Sequence, residues 1–563
     1  MARLRRLLPV IALALGAACA HVDPPAPAPA PPPAPPAPAP PPDPVAPIRA
    51  EVEALLSAQG EILWHAWITG EPGDPSRALS GRELLHDPGA LAAVREARGR
   101  ATGAESRALS LLEAFLAGER LTRESAASAD RLAAARAQAT VTWEGRELPL
   151  RKLPALLAAE DDAGRRARIE EVAARAEARL RPLAEEQRRA LDAAARKLGA
   201  ASARELAAAW RGEPLAALAA RAEAVLAATE APYRALMEGL ARRELNLPLA
   251  RLRARDLPRL FALAQEPRAF PAAAAAPRAL DTLRGLGVDL ASRPGVILDL
   301  AARPGKEPRP LLLPVEVPAG VRVSAAPAGG VAEARALLRV LGSAAYFSAI
   351  TAPELEFRRL GPVTADAWGA LFEELAGDPA WLAEKTGLSP DNLEPVVLAA
   401  AARRLHQVRD AAARLLYEAG RPADTAGAEG LARAVAARAF LHPVEAAEAA
   451  LWTADADPLL RSADALDAAL LAAQAEAWLA RLGGPSWWRS EQAGTALRAA
   501  WAQGSRLSPG ELSRAFGFAR LDAAALVDAC RARGERAGLR VPVPAAPAGS
   551  GPATGFDGSG RAG

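Results

Sequence analysis

Apolar residues recur at helical spacing over most of residues 48–290. Residues 48–68 set Leu55, Ile62 and Leu63 with Trp64 and Trp67 along one helix. Residues 165–200 set Ile169, Val172 and Ala176 against Glu170, Glu171 and Arg175, which predicts a charged amphipathic helix pair with a solvated face. Thr-Val-Thr-Trp alternation before Glu144-Gly145 predicts a hairpin over residues 140–148. Short helices are expected over residues 251–270, and residues 271–277 read as an alanine-rich connector. The pattern changes at Pro294: residues 296–300 read as a buried strand. Residues 310–317 and 321–325 read as two more, joined by Pro318-Ala319-Gly320. Gly329-Gly330 then breaks the chain before a helix. Helices dominate afterwards and carry Trp368, Trp381, Trp452, Trp478, Trp487, Trp488 and Trp501, a set read as core. The expected fold is mainly α: two helical lobes, residues 48–293 and 294–540, with one small β-sheet.

The ends read differently. Arg3, Arg5 and Arg6 precede an apolar run over residues 7–18, too short for a membrane span. Leu15-Gly16-Ala17-Ala18-Cys19 resembles the lipobox of bacterial lipoproteins, with Leu15 one place further from the cysteine than usual. Residues 1–19 are thus expected to be a lipoprotein signal peptide that leaves Cys19 lipidated. An ordinary secretory cut after Ala20 is the rival. Ala20 in place of an aspartate favours the outer membrane, facing the periplasm or the cell surface. Residues 20–47 are nearly all Pro and Ala, a linker without core-forming side chains. Residues 541–563, rich in Pro, Gly, Ala and Ser, are expected to be a disordered tail. No later run reaches eighteen apolar residues. The formal charge is +3, and acidic and basic residues alternate along the helices, which argues against a nucleic-acid partner. Only Cys530 accompanies Cys19, so no structural disulfide is expected.

The most informative stretch is the helix over residues 334–347. A zinc peptidase helix needs two histidines four apart, with a glutamate beside the first to deprotonate the metal-bound water. The surroundings of this helix follow a recognisable order: Asp299, then Lys306 and Arg309, strands to Val323, and Pro327-Ala328-Gly329-Gly330. The helix carries Gly342, Tyr346 and Phe347. Phe357-Arg358-Arg359-Leu360-Gly361 leads to Asp366, Trp368 and Glu373. Further on come Arg414-Leu415-Leu416-Tyr417-Glu418, Trp487-Trp488 with Gly494 and Leu497, and Trp501-Ala502-Gln503-Gly504. This order resembles the zinc peptidases of the thimet oligopeptidase and oligoendopeptidase F type, whose helix bears H-E-x-G-H. The resemblance implies a peptidase-like lobe over residues 294–540 and a deep channel for extended peptides. It places Arg339 and Ser343 at the two histidines, Val340 at the glutamate, Gly342 at the motif's glycine and Asp366 at the third ligand. The tyrosine-bearing segment of the relatives falls at residues 462–467, which hold no tyrosine. The implied protein is a degenerate member with no catalytic residue, metal or cofactor.

Other chemistries are less well served. The histidines are His21, His65, His86, His406 and His442, no two of them four apart. His442 and Glu445 offer a metal two donors, but read better as a helix start, with Pro443 as first helical residue and Glu445 and Glu448 complementing the dipole. His65 and His406 read as satisfied structural histidines on amphipathic helices. No G-x-S-x-G elbow is present, Ser343 is isolated, and Cys530 reads as a small core residue. Gly329-Gly330 lacks a phosphate loop's lysine and hydroxyl, and Glu373-Glu374 fall on different helix faces. Arg339 is expected to pair with Asp366, its guanidinium standing in for the lost cation; the rival is that both face water. The functional expectation is a lipid-anchored envelope protein that contacts the bilayer through Cys19 and binds a peptide or braces an envelope protein. The alternatives are a hydrolase with a non-standard site and a purely structural lipoprotein.

Overall fold

The computed structural model describes residues 43–263, 267–454, 456–536, 538 and 540. Cys19, the signal segment, most of the linker and the tail lie outside them. The described chain is mainly α-helical with two small sheets. The first helix, Ala46–Thr69, starts inside the stretch read as linker, because Pro47 suits a first turn and Val45 is already buried. Residues 163–197 form one continuous helix, Ala163–Lys197, rather than a pair. Strong helix formers on both sides carry it through Pro182. The expected connector over residues 271–277 is instead the start of a helix, Ala272–Gly285. Alanine is the best helix former, and the proline at position 271 sits just outside as the N-cap.

Strand β1 (Thr140–Trp143) pairs antiparallel with β2 (Arg146–Pro149), closed by Glu144 and Gly145 at positive φ. In the second sheet β3 (Val296–Asp299), β4 (Leu311–Glu316) and β5 (Gly320–Ser324) run in the order β3-β5-β4. β3 is parallel and β4 antiparallel to β5. β3 is not the buried strand its sequence suggests: it pairs with β5 alone, and Ile297 is 48 % exposed. Alternate side chains of such an edge strand point away from the core.

Gly330 (φ 96°) caps the central helix, Val331–Ala349, and its N–H donates to the Phe270 carbonyl at 2.8 Å. That helix packs on Pro362–Glu373 through two glycines. A Cβ on Gly342 would stand 2.5 Å from the Phe372 ring, and one on Gly369 would stand 2.5 Å from Ser343 Oγ. Around this contact the rings of Trp368, Phe372, Trp487, Trp501 and Phe516 meet edge-on or tilted.

The described residues from Pro44 onward form one compact unit. The largest core joins Ala108, Phe270 and Leu283 to the central helix and its neighbours. The next joins residues Leu218, Leu226, Tyr233 and Leu260 to Leu405, Leu470, Leu526 and Cys530. Both cores cross the expected division at residue 293, since the long helices Leu215–Leu245 and Pro390–Gly420 pack directly on each other. Among the described residues, no helix is long and apolar enough to cross a membrane.

Candidate functional site

The central helix presents Arg339 and Ser343 toward the neighbouring helix Pro362–Glu373. Arg339 Nη2 donates to Asp366 Oδ1 at 3.2 Å, and Nη1 donates to Glu373 Oε2 at 3.0 Å. The expected pair therefore forms. It is a surface pair, however, with the two side chains 39 % and 54 % exposed. Ser343 Oγ is covered and lies 3.4 Å from the Ala365 carbonyl. Val340 packs its apolar side chain against the main core. These residues do not fit zinc. Arg339 has no lone pair to offer and is itself a cation, Val340 is no base, and Ser343 gives its hydroxyl to a carbonyl. Among the described residues, no three His, Cys, Asp or Glu side chains are grouped to hold a metal ion.

Beneath this pair lies a buried lattice of charges. Glu373 and Glu374 do not diverge as adjacent helical residues should: both accept from Arg335 Nη2, at 3.0 and 3.4 Å. A short 3-10 turn over Glu374–Gly377 rotates the second carboxyl back toward Arg335. Burial pushes the Glu373 carboxyl up, but Arg335 and Arg339 outweigh it and hold it below its ordinary value. Arg533, 2 % exposed, donates to Glu374 at 3.1 Å and Glu476 at 2.7 Å. Arg404 donates to Glu476 at 2.9 Å. Burial opposes ionisation of Glu476, yet Arg533 and Arg404 bring it down to about 2. Glu374, Arg404 and Arg533 thus form a buried charge network, and on the face over residues 165–200 that was read as solvated Glu170 is also buried, paired with Arg255. Cys530 lies beside it, fully buried, its thiol pushed up to about 11 by desolvation.

The histidines are dispersed. His65 is exposed and lies 2.9 Å from Glu71. His406 meets the Tyr233 hydroxyl at 3.0 Å, and burial brings it down to about 4. His442 and Glu448 are both buried, Nε2 to Oε1 at 4.0 Å. The helix there starts at Ala446, so Pro443 precedes it instead of opening it, and Glu445 turns outward to Arg253 and Arg255. Burial, and then the nearby Glu170, push the Glu448 carboxyl up to about 7.

A large opening lies elsewhere. A cleft of about 1200 Å³ lies between the helices Gly103–Gln138 and Ala163–Lys197 on one side and residues 417–461 on the other. Arg339, Val340, Ser343 and Asp366 do not line it. Nine carboxylates and seven arginines do, with leucines between them. Glu418, 6 % exposed, accepts from the Asp457 backbone N–H at 3.0 Å and from the Ser462 hydroxyl. Burial pushes its carboxyl up to about 7. Beside it Arg421 Nε donates to the Tyr417 hydroxyl at 3.1 Å, and another nitrogen of Arg421 donates to Glu185. The sequence offers no local signature for this cleft, whose walls come from segments hundreds of residues apart. No family model matches the chain, and no curated protein is significantly similar to it.

Proposed function

We propose that this chain is a lipid-anchored envelope protein built on a degenerate zinc-peptidase-like fold, which binds a peptide or braces an envelope partner without hydrolysing it. One observation carries the reading: the Arg339 guanidinium lies between Asp366 and Glu373 where the resemblance puts the first zinc ligand. A fixed cation there repels a divalent ion and leaves no base to activate water. The cleft supplies room for a ligand away from that position. Anchoring through Cys19 rests on the lipobox-like residues 15–19.

Purified protein, incubated with quenched fluorescent peptides with and without added zinc, is expected to leave them intact. Chelator-sensitive cleavage with one zinc bound per chain would overturn the reading. Labelled palmitate is expected to enter the wild type and not Cys19→Ser; equal labelling of both removes the anchor.

A further inference from the structure

We infer that the cleft bounded by Gly103–Gln138, Ala163–Lys197 and residues 417–461 is a binding site for an extended cationic chain, a peptide segment bearing lysine or arginine. Its volume of about 1200 Å³ exceeds the roughly 300–1,000 Å³ of small-molecule pockets and suits a chain of several residues. Charge then selects the class. The whole chain is net positive, at +3, yet carboxylates outnumber arginines along this cleft.

Most arginines of the walls are, moreover, already engaged. Arg181 pairs with Glu429, Arg188 with Glu185 and Asp192, and Arg461 with Asp457. Arg136 and Arg204 donate to the backbone carbonyls of Ala454 and Arg421. Several carboxyls have no such partner. Among the described residues, no arginine or lysine forms an ion pair with Glu119, Asp130 or Glu418, all of which line the cleft. Among the described residues, Arg123 alone of the lining arginines shows no such pairing. A ligand thus meets a negative field, and the leucines at positions 132, 180, 191 and 459 offer apolar surface for the stems of lysine or arginine.

Desolvation raises the Glu119 carboxyl, and Glu418 rises to about 7. Burying an uncompensated carboxylate is costly, and an incoming ammonium or guanidinium group offsets that cost. Glu418 is faced by Asp457 and Ser462 from the following segment and by Arg414 on its own helix. Asp457 favours its protonated form; the Asp457 N–H, Ser462 and Arg414 favour the anion. A bound cation tips the balance to the anion, so binding releases a proton and strengthens as pH rises through about 7.

This assignment deepens the non-catalytic binding reading and rests on it only for the ligand's survival. The test is fluorescence anisotropy of full-length protein with labelled (Ala-Lys)4 and (Ala-Glu)4 peptides at 150 mM salt. The lysine peptide is expected to bind at least ten-fold tighter, and its affinity to rise several-fold from pH 6 to pH 8. Glu418→Gln is expected to flatten that pH profile. The double variant Glu119→Gln, Asp130→Asn, whose positions lie nearer the surface, is expected to weaken binding at both pH values. Equal affinity for the two peptides, no binding of the lysine peptide at pH 8, or an unchanged affinity in the double variant would overturn the assignment. Recovery of cut lysine peptide would sink the non-catalytic reading and leave the cationic site standing.

Discussion

Glu476 and Glu448 are both carboxyls withdrawn from water, and they behave in opposite ways. Glu476 sits between Arg404 and Arg533 and is held down to about 2. Glu448 faces His442 and Glu170, forms no ion pair with an arginine among the described residues, and is pushed up to about 7 despite the more distant charge of Arg253. Depth of burial does not separate them; the company does. Two guanidinium groups supply more than desolvation removes, whereas a neutralised histidine and a second carboxyl supply nothing. The Arg339–Asp366 pair is a third case, in which water screens both partners. One part of the molecule therefore relies on fixed charge, another holds an uncompensated acid, and the Arg339–Asp366 pair does neither.

The comparison breaks most visibly at Arg533. Arg533→Met strips Glu374 and Glu476 of a shared partner and is expected to cost about 3–5 kcal/mol in urea unfolding. A loss under about 1 kcal/mol would mean that the lattice is not a paired network. Glu448 should respond with the opposite sign. Its folded value, about 7, lies above its ordinary 4.5, so the folded state binds the extra proton between those values. Stability therefore falls by about 1.4 kcal/mol per pH unit across that window and stays lowered above it. Glu448→Gln is expected to stabilise the protein by up to about 3 kcal/mol at pH 8 and to change little below pH 4.5. Equal effects at both pH values would refute a neutralised acid. Glu476 reverses the window, since its contribution is lost only as pH falls from 4.5 toward 2.

Gly342→Ala gives a charge-free reference. It forces a methyl into the Phe372 ring and should cost about 1–3 kcal/mol with no pH dependence. A loss that varied with pH would show that the helix contact and the charges above it are coupled. The smallest effect is expected at Asp366→Asn, under about 1 kcal/mol by thermal unfolding, because the pair is exposed and Glu373 still holds Arg339. A loss of several kcal/mol there would move Arg339 into the class of Arg533.

The helical class, the Glu144-Gly145 hairpin and the tryptophan core were legible because each follows from local pattern: 3.6-residue periodicity, a turn dipeptide, large apolar side chains. The Arg339–Asp366 contact was reached by a different route, through the order of motifs around the helix. Arg335, Arg404 and Arg533 were not legible as buried. An arginine on a helix looks alike in sequence whether water or a carboxylate from a helix far along the chain receives it. Alanine misled at residues 272–277 because its monotony resembles a linker while its propensity favours a helix. The cleft was invisible for the reason that the lattice was: its walls meet only after the long helices have docked.

The core that unites Leu218 and Tyr233 with Leu526 and Cys530 has a further consequence during synthesis. A nascent chain that has reached residue 293 holds fewer than half of that core's residues, and the larger share that packs on them is still to come. Its apolar stripe, with Val225, Leu226, Leu236 and Leu240, stays open until its main covering helix, Pro390–Gly420, has been made. The second core therefore cannot close before the chain has been made as far as that helix, so its two halves meet across a long stretch of intervening sequence.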